Sequence, residues 1–198
     1  MNKILIAGLG NPGKQYKNTP HNIGFEVLDR LLEAFENGGG AIKETHAREA
    51  AVWELSTENT KLILVKPLLY MNLSGIPVSR VAKSHEIDES NSLWIVHDDV
   101  DLDAGVIKVK KGGRSAGHKG VENIIKALGK NDFWRFRAGI RPADSPAKRP
   151  PGFMEEFVTK KLLGEDLKTM RKSADVCAEM VLESLENGIR NKKRILGV

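Results

Sequence analysis

His21 follows Thr19 and Pro20 and precedes a segment whose apolar residues recur at helical spacing. That pattern predicts Thr19 as N-cap, Pro20 as the first helical position and His21 in the first turn. The positive end of the helix dipole disfavours an imidazolium, which keeps the ring neutral and able to accept a proton near pH 7. A histidine at a helix start is by default a surface residue, so a partner is needed to make it a base. Asp98 is the candidate. Leu93-Trp94-Ile95-Val96-His97-Asp98-Asp99 reads as an apolar strand ending in carboxylates, the place where α/β sheets present functional groups. An aspartate bonded to one ring nitrogen fixes the tautomer, turns the other nitrogen to the substrate and favours the developing imidazolium. Dipole and carboxylate pull the pKa of His21 in opposite directions, and the sequence leaves the balance open.

Three other constellations suggest different chemistry. Gly8-Leu9-Gly10-Asn11-Pro12-Gly13 after an apolar run matches the dinucleotide fingerprint G-x-G-x-x-G. The fingerprint glycines open a helix, whereas here Pro12, Tyr16 and Pro20 intervene before helical periodicity begins. A tight turn presenting Asn11 at the end of a strand is the better reading. Gly113-Arg114-Ser115-Ala116-Gly117 matches the nucleophile elbow G-x-S-x-G, which makes a serine hydrolase the rival enzyme. The histidine of that family comes well after its serine, and here only His118 follows, three residues on. A Gly/Ser turn heading a helix, with Lys110, Lys111 and Arg114 nearby, suits phosphate or a polar substrate instead. Asp99, Asp101 and Asp103 resemble a calcium loop, but Ala104 and Lys110 stand where an EF-hand needs Gly and Glu.

The elements that must position these groups are short. Apolar runs bounded by turn residues at 3–8, 51–55, 61–66, 93–97, 105–110 and 134–140 predict strands, several with the continuous Val/Ile/Leu character of a sheet covered on both faces. Helical spacing links Phe25, Leu28, Leu31, Leu32 and Phe35, then Val121, Ile124, Ile125 and Leu128, then Leu167, Met170, Ala174, Cys177, Val181 and Leu185. Alternating strands and helices predict a single-domain α/β fold over residues 1–198, with a central mixed β-sheet flanked by helices. A Pro-rich loop at about 141–152 is long enough to be mobile, a C-terminal helix is expected at about 164–188, and Cys177 is expected in the core.

The 198 residues carry 31 Lys and Arg against 26 Asp and Glu, a formal net charge of +5. The excess is local. Between Lys108 and Arg149 there are 12 basic and 3 acidic residues, a net of +9, and the remainder nets −4. One face that meets a polyanion is the expectation, with phosphate contacts that do not read sequence. A lone Cys177 excludes an internal disulfide, and there is no Cys-x-x-Cys pattern for zinc, which points to the cytoplasm. The apolar run Ile4 to Gly10 is cut off by Asn11-Pro12-Gly13-Lys14 without a cleavage pattern, and Asn2 excludes N-myristoylation. No apolar run reaches the ~20 residues of a membrane helix.

Three segments resemble the bacterial peptidyl-tRNA hydrolase family: Gly8 to Gly13 through Tyr16 to His21-Asn-Ile-Gly-Phe25; Lys66-Pro67 with Tyr70-Met-Asn-Leu-Ser-Gly75; and His97-Asp98-Asp99 with Gly112 to Gly120. The likeness runs in order from about residue 4 to 141 and continues weakly to Gly188. It implies a monomeric mixed α/β fold that hydrolyses the ester between an N-blocked peptide and the tRNA 3′ ribose, with no metal or cofactor. By motif, His21 resembles the base that activates water and Asp98 its support. Asn72 resembles the positioner of the carbonyl and water, and Asn11 the residue that senses an acylated amino group. Tyr16, Tyr70 and Met71 resemble cleft walls, His118 and Lys119 lie at the substrate, and Lys110 and Arg137 match positions that grip tRNA phosphate. Two departures stand out. Gly117-His118-Lys119-Gly120 replaces the usual Gly-His-Asn-Gly, so an amide becomes a cation that only donates. Thr19-Pro20-His21 replaces a common Thr-Arg-His. A non-catalytic RNA-binding module on the same fold is the alternative, and His21, Asp98, Asn11 and Asn72 favour the enzyme.

Overall fold

The computed structural model describes residues 2–47, 49–56, 60–142, 145 and 152–197. Its sheet is laid down from the middle outwards. Strand β1 (Asn2–Gly8) pairs in parallel with β4 (Thr60–Pro67) on one side and β5 (Leu93–Asp103) on the other, and β5 pairs in parallel with β7 (Trp134–Arg141). Antiparallel strands finish both flanks: β3 (Ala50–Ser56) and β2 (Ile42–Ala47) beyond β4, β6 (Val106–Lys111) and β8 (Lys192–Ile195) beyond β7. The order is β2-β3-β4-β1-β5-β7-β6-β8.

Strand period 2 divides the core into two layers. Ile4, Ile6, Trp94, Val96 and Phe136 pack with helices α1 (Ile23–Asn37) and α5 (Gly164–Asn187) on one face. Leu5, Ala7, Ile63, Val65, Leu93 and Ile95 pack with α2 (Gly75–Ser84) and α3 (Lys119–Leu128) on the other. Full burial of such a side chain contributes roughly 1.5–3 kcal/mol, so the parallel centre is the stable part of the molecule. Cys177 is fully buried in the α5 layer, and burial pushes its thiol up to about 12, which leaves it unreactive.

All six expected strands form. Two more, β2 and β8, were missed, because Ile42–Ala47 and Lys192–Ile195 are polar edge segments without apolar runs. Helix α2 and a short helix α4 (Phe153–Thr159) were also missed, the first because Gly75 and Pro77 sit at its start. The helix expected from Pro20 begins at Ile23; Pro20–Asn22 is a separate 3-10 turn, and Thr19, instead of capping it, donates its hydroxyl to the Tyr16 carbonyl at 2.8 Å. The loop expected at 141–152 falls mostly outside the described residues. Among the described residues no helix is long and apolar enough to cross a membrane.

Candidate active site

The chemistry gathers where β1 and β5 end. Gly8 closes β1, and a Cβ there would collide with the carbonyl oxygen of Gly24, while one on Gly24 would collide with the Leu9 backbone. The two glycines let the start of α1 lie against the strand ends, which carries the Pro20–Asn22 turn over β5. These glycines serve chain packing, and the segment lacks the geometry of the dinucleotide fingerprint: two 3-10 turns separate Gly13 from α1, so the fingerprint glycines do not open a helix.

His21 and Asp98 meet in this corner. His21 Nδ1 lies 2.8 Å from Asp98 Oδ1, and both residues are buried, His21 at 8% exposure and Asp98 at 1%. The surface position expected by default for His21 is thus replaced by a buried one, because the turn is pressed onto the sheet. His118 supplies a second contact: its Nε2 lies 2.9 Å from the same Oδ1. Its other ring nitrogen, Nδ1, accepts the Val121 N–H and caps α3. With Nδ1 accepting, the proton of neutral His118 is on Nε2, which donates to Asp98. The carboxylate likewise receives His21 Nδ1–H, which leaves Nε2 of His21 as the lone-pair nitrogen. The His21 and His118 rings are 4.9 Å apart.

Burial alone would raise the pKa of Asp98, but the charges and hydrogen bonds of His21 and His118 outweigh it and hold the carboxyl well below the usual range. His97 completes the cluster. Its Nδ1 donates to the Asp98 carbonyl at 2.6 Å, its ring meets that of His118 edge-on at 4.8 Å, and burial, with His118 next to it, holds its pKa down. Nε2 of His97 is buried without a hydrogen-bond partner.

Asn11 is fixed from both ends. Its N–H donates to Asn22 Oδ1 at 2.8 Å, and Asn22 Nδ2 donates back to the Asn11 carbonyl at 3.0 Å. Asn11 Oδ1 accepts the Met71 N–H at 2.7 Å, so the side-chain amide N–H groups are the free donors. This bond ties Asn11 to the 3-10 turn Met71–Leu73, which carries the exposed Asn72. Asn22 is a positioning residue that the sequence did not disclose. Tyr16 and the exposed Tyr70 meet edge-on at 6.4 Å, whereas Met71 is buried, with its sulfur against Gly120.

A cavity of about 470 Å³ opens beside His21 and Asp98 and runs past Ser115, His118 and Lys119 to Met154, Glu155 and Val158 of α4. The cavity places several of the expected residues. His118 lines the cavity while both of its ring nitrogens are engaged inside the protein, one by Asp98 and one by the Val121 N–H. Lys119, expected to face phosphate or ribose, reaches across the cavity mouth to Glu155 at 3.0 Å. Arg137 gives its Nε to buried Asp99 at 2.6 Å, which leaves its terminal nitrogens as donors. Lys110 is exposed at the end of β6. Ser115 has no histidine partner among the described residues, and His118 is committed to Asp98, so a serine nucleophile is not assembled. Asp99 and Asp103 are held by Arg137 and Arg141, which removes two of the three carboxylates of the apparent calcium loop.

Arg135 supports the site from behind. Its buried guanidinium donates to the carbonyls of Arg114 at 2.8 Å and Gly113 at 2.6 Å and lies over the Phe133 ring. Burial, with Arg137 nearby, pushes its pKa down to about 10, so it remains a cation. As metal ligands, the group to test among the described residues is His21, Asp98 and His118, whose ligand atoms lie within 4.8 Å of one another. Those atoms are bonded to one another through protons on the two rings, and a cation would have to displace both.

The model of the peptidyl-tRNA hydrolase family matches residues 5–196 of the chain. Peptidyl-tRNA hydrolases of Thermodesulfovibrio yellowstonii and Chlorobium phaeobacteroides are 36% and 39% identical to it, the first over 97% of each chain and the second over 94% of each. The solved structure of a peptidyl-tRNA hydrolase from Acinetobacter baumannii superposes with a TM-score of 0.80 at 28% identity, covering 94% of this chain and 90% of that one.

Proposed function

The chain belongs to the peptidyl-tRNA hydrolase family and hydrolyses the ester bond of peptidyl-tRNA, and we propose that it does so with a water activated by His21. The observation that carries this reading is the 2.8 Å contact between His21 Nδ1 and Asp98, which leaves Nε2 free to accept a proton. Water loses a proton to Nε2 and its oxygen attacks the ester carbonyl. Asp98 stabilises the imidazolium without taking the proton. The side-chain amide of Asn72 positions the ester carbonyl and the water and donates to the oxyanion, and the amide N–H groups of Asn11 meet the acylated amino group of the peptide. As the tetrahedral intermediate collapses, the C–O bond to the 3′ ribose breaks and the imidazolium returns its proton to the ribose oxygen. The products are tRNA with a free 3′ hydroxyl and the peptide acid, which releases the second proton of the water to solvent and leaves as the carboxylate.

No metal is needed in this scheme, since an ester with a good geometry for attack yields to a positioned base worth about 10²–10⁴ and to oriented donors. Lys110 and the terminal nitrogens of Arg137 grip tRNA phosphate, and Tyr16 and Tyr70 flank the peptide and terminal adenosine. We place the enzyme in the cytoplasm as a monomer. Release of free peptide from N-acetyl-aminoacyl-tRNA tests the proposal: wild type turns over, and His21→Ala is at least ~10²-fold slower. A His21→Ala rate near wild type would remove His21 from the chemistry. Absence of turnover with retained tRNA binding would leave an RNA-binding module.

A further inference from the structure

A second cavity, of about 390 Å³, lies where β5 and β7 run out. Asp103, Gly139 and Ile140 line it from the strands, Phe157 from α4 and Leu162 from the segment that follows α4. One face of α5 completes the wall, presenting Asp166, Thr169, Met170 and Ser173 at the 3/4 spacing of a single helical stripe. Helix α4 stands between this space and the cavity beside His21. Met154, Glu155 and Val158 line the first cavity and Phe157 the second, and the two share no lining residue.

One hydroxyl in this wall is unpaired. Ser173 is 1% exposed, and its Oγ has no hydrogen-bond partner among the described residues. A serine buried in a helix ordinarily turns its hydroxyl back onto a carbonyl of the preceding turn. Ser184 of the same helix does so, donating to the Met180 carbonyl at 2.6 Å. An unpaired buried hydroxyl is costly, and a bound group that completes it is the physical reason to keep one. The remaining walls are mostly apolar, with Ile140, Phe157, Leu162 and Met170 around the hydroxyl. Asp103 and Arg141 neutralise each other at 2.7 Å, and exposed Asp166 adds a negative charge that disfavours an anion such as RNA phosphate.

We propose that this cavity is a second ligand site, for a small neutral aromatic molecule that carries one hydrogen-bonding group. The ring packs against Phe157, Leu162 and Met170, and the polar group meets Ser173 Oγ. A volume of about 390 Å³ lies within the roughly 300–1,000 Å³ of ligand pockets, which pair apolar walls with a few placed polar groups that orient the ligand. Water alone would satisfy the hydroxyl but leave the apolar wall uncovered. The site stands independently of the hydrolase reading, because none of its residues lines the cavity beside His21.

Phenol and toluene, which differ in a hydroxyl for a methyl, are the probes. Titrated against the full chain with labelled methionine methyl groups, both should shift the buried Met170 methyl saturably in the NMR spectrum. Ser173→Ala keeps a good helix former and should weaken phenol by about 3–10-fold while leaving toluene within about twofold. Thr169→Trp fills the space and should remove saturable binding of both. Unchanged phenol affinity in Ser173→Ala, equal loss of the two probes, or shifts that rise without saturating would overturn the proposal. So would a response at Met154 in place of Met170, which would put the probes in the cavity beside His21.

Discussion

Two ionic arrangements face each other across the cavity and obey different physics. At its base, Asp98 is 1% exposed and takes both imidazoles, His21 and His118, on one carboxylate oxygen. At its mouth, Lys119 and Glu155 meet at the same kind of distance but with more than half of each side chain in water. In the buried cluster every donor lost leaves a polar group unsatisfied, so geometry is over-determined. In the exposed pair, water replaces either partner at little cost, and the pair contributes at most about 1 kcal/mol. The base fixes a tautomer, and the mouth can open.

The sharpest break of this contrast is at His21. His21→Ala should cost at least ~10² in turnover, as measured by peptide release. Asp98→Asn should cost less, because the base remains while its support weakens. In the double variant the losses should fall short of the product of the single ones, since the two act as a unit; full additivity would separate them. His118→Ala comes next. It removes the cap of α3 together with one donor to Asp98, and about 1 kcal/mol of stability should go with the cap alone, measured by denaturant midpoint.

Acid sharpens the contrast further. Burial holds His97 neutral below its ordinary 6.5, so under mildly acidic conditions the unfolded chain binds a proton that the folded chain refuses. Stability then falls as pH drops below about 6.5, by about 1.4 kcal/mol per pH unit for one proton. Asp98 adds nothing to that slope, because its carboxyl is ionised in both states until pH approaches the unfolded value near 3.9, and its support is lost only below that. Replacing His97 with Asn should flatten the fall between pH 6.5 and 4 in denaturant titrations. An unchanged slope would mean that another group takes up the proton.

At the mouth the effects should be small. Lys119→Asn should keep kcat/KM within about tenfold, and the charge-swapped pair Lys119→Glu with Glu155→Lys should restore whatever part of any loss belongs to closure. If Lys119 also meets the substrate, the swap will not restore KM at low salt, where phosphate attraction is strongest. Ser115→Ala should change least of all, and labelling of Ser115 by a fluorophosphonate with loss of turnover would revive the serine nucleophile.

His21 and Asp98 were legible in the sequence because each sits at an element boundary that a propensity argument can find: a Thr-Pro start and the end of an apolar strand. The six central strands were legible because their buried residues form short apolar runs of Val, Ile and Leu, in the parallel β1, β4, β5 and β7 and in the antiparallel β3 and β6 alike. His118 was not. Its task depends on a cap bond three residues ahead and a carboxylate 20 residues behind, and neither leaves a periodic trace. Lys119 and Glu155 are 36 residues apart, and Lys193 joins Lys108 only through a strand register, so both pairings are products of tertiary structure.

β8 has one more consequence. A four-residue strand at the rim of an eight-stranded sheet exposes unpaired backbone groups that invite another strand to add on. Lys193 projects from that rim, and a second copy approaching edge to edge would bring its own lysine against it. The positive charge at this edge therefore works against edge-to-edge addition of a copy of the protein.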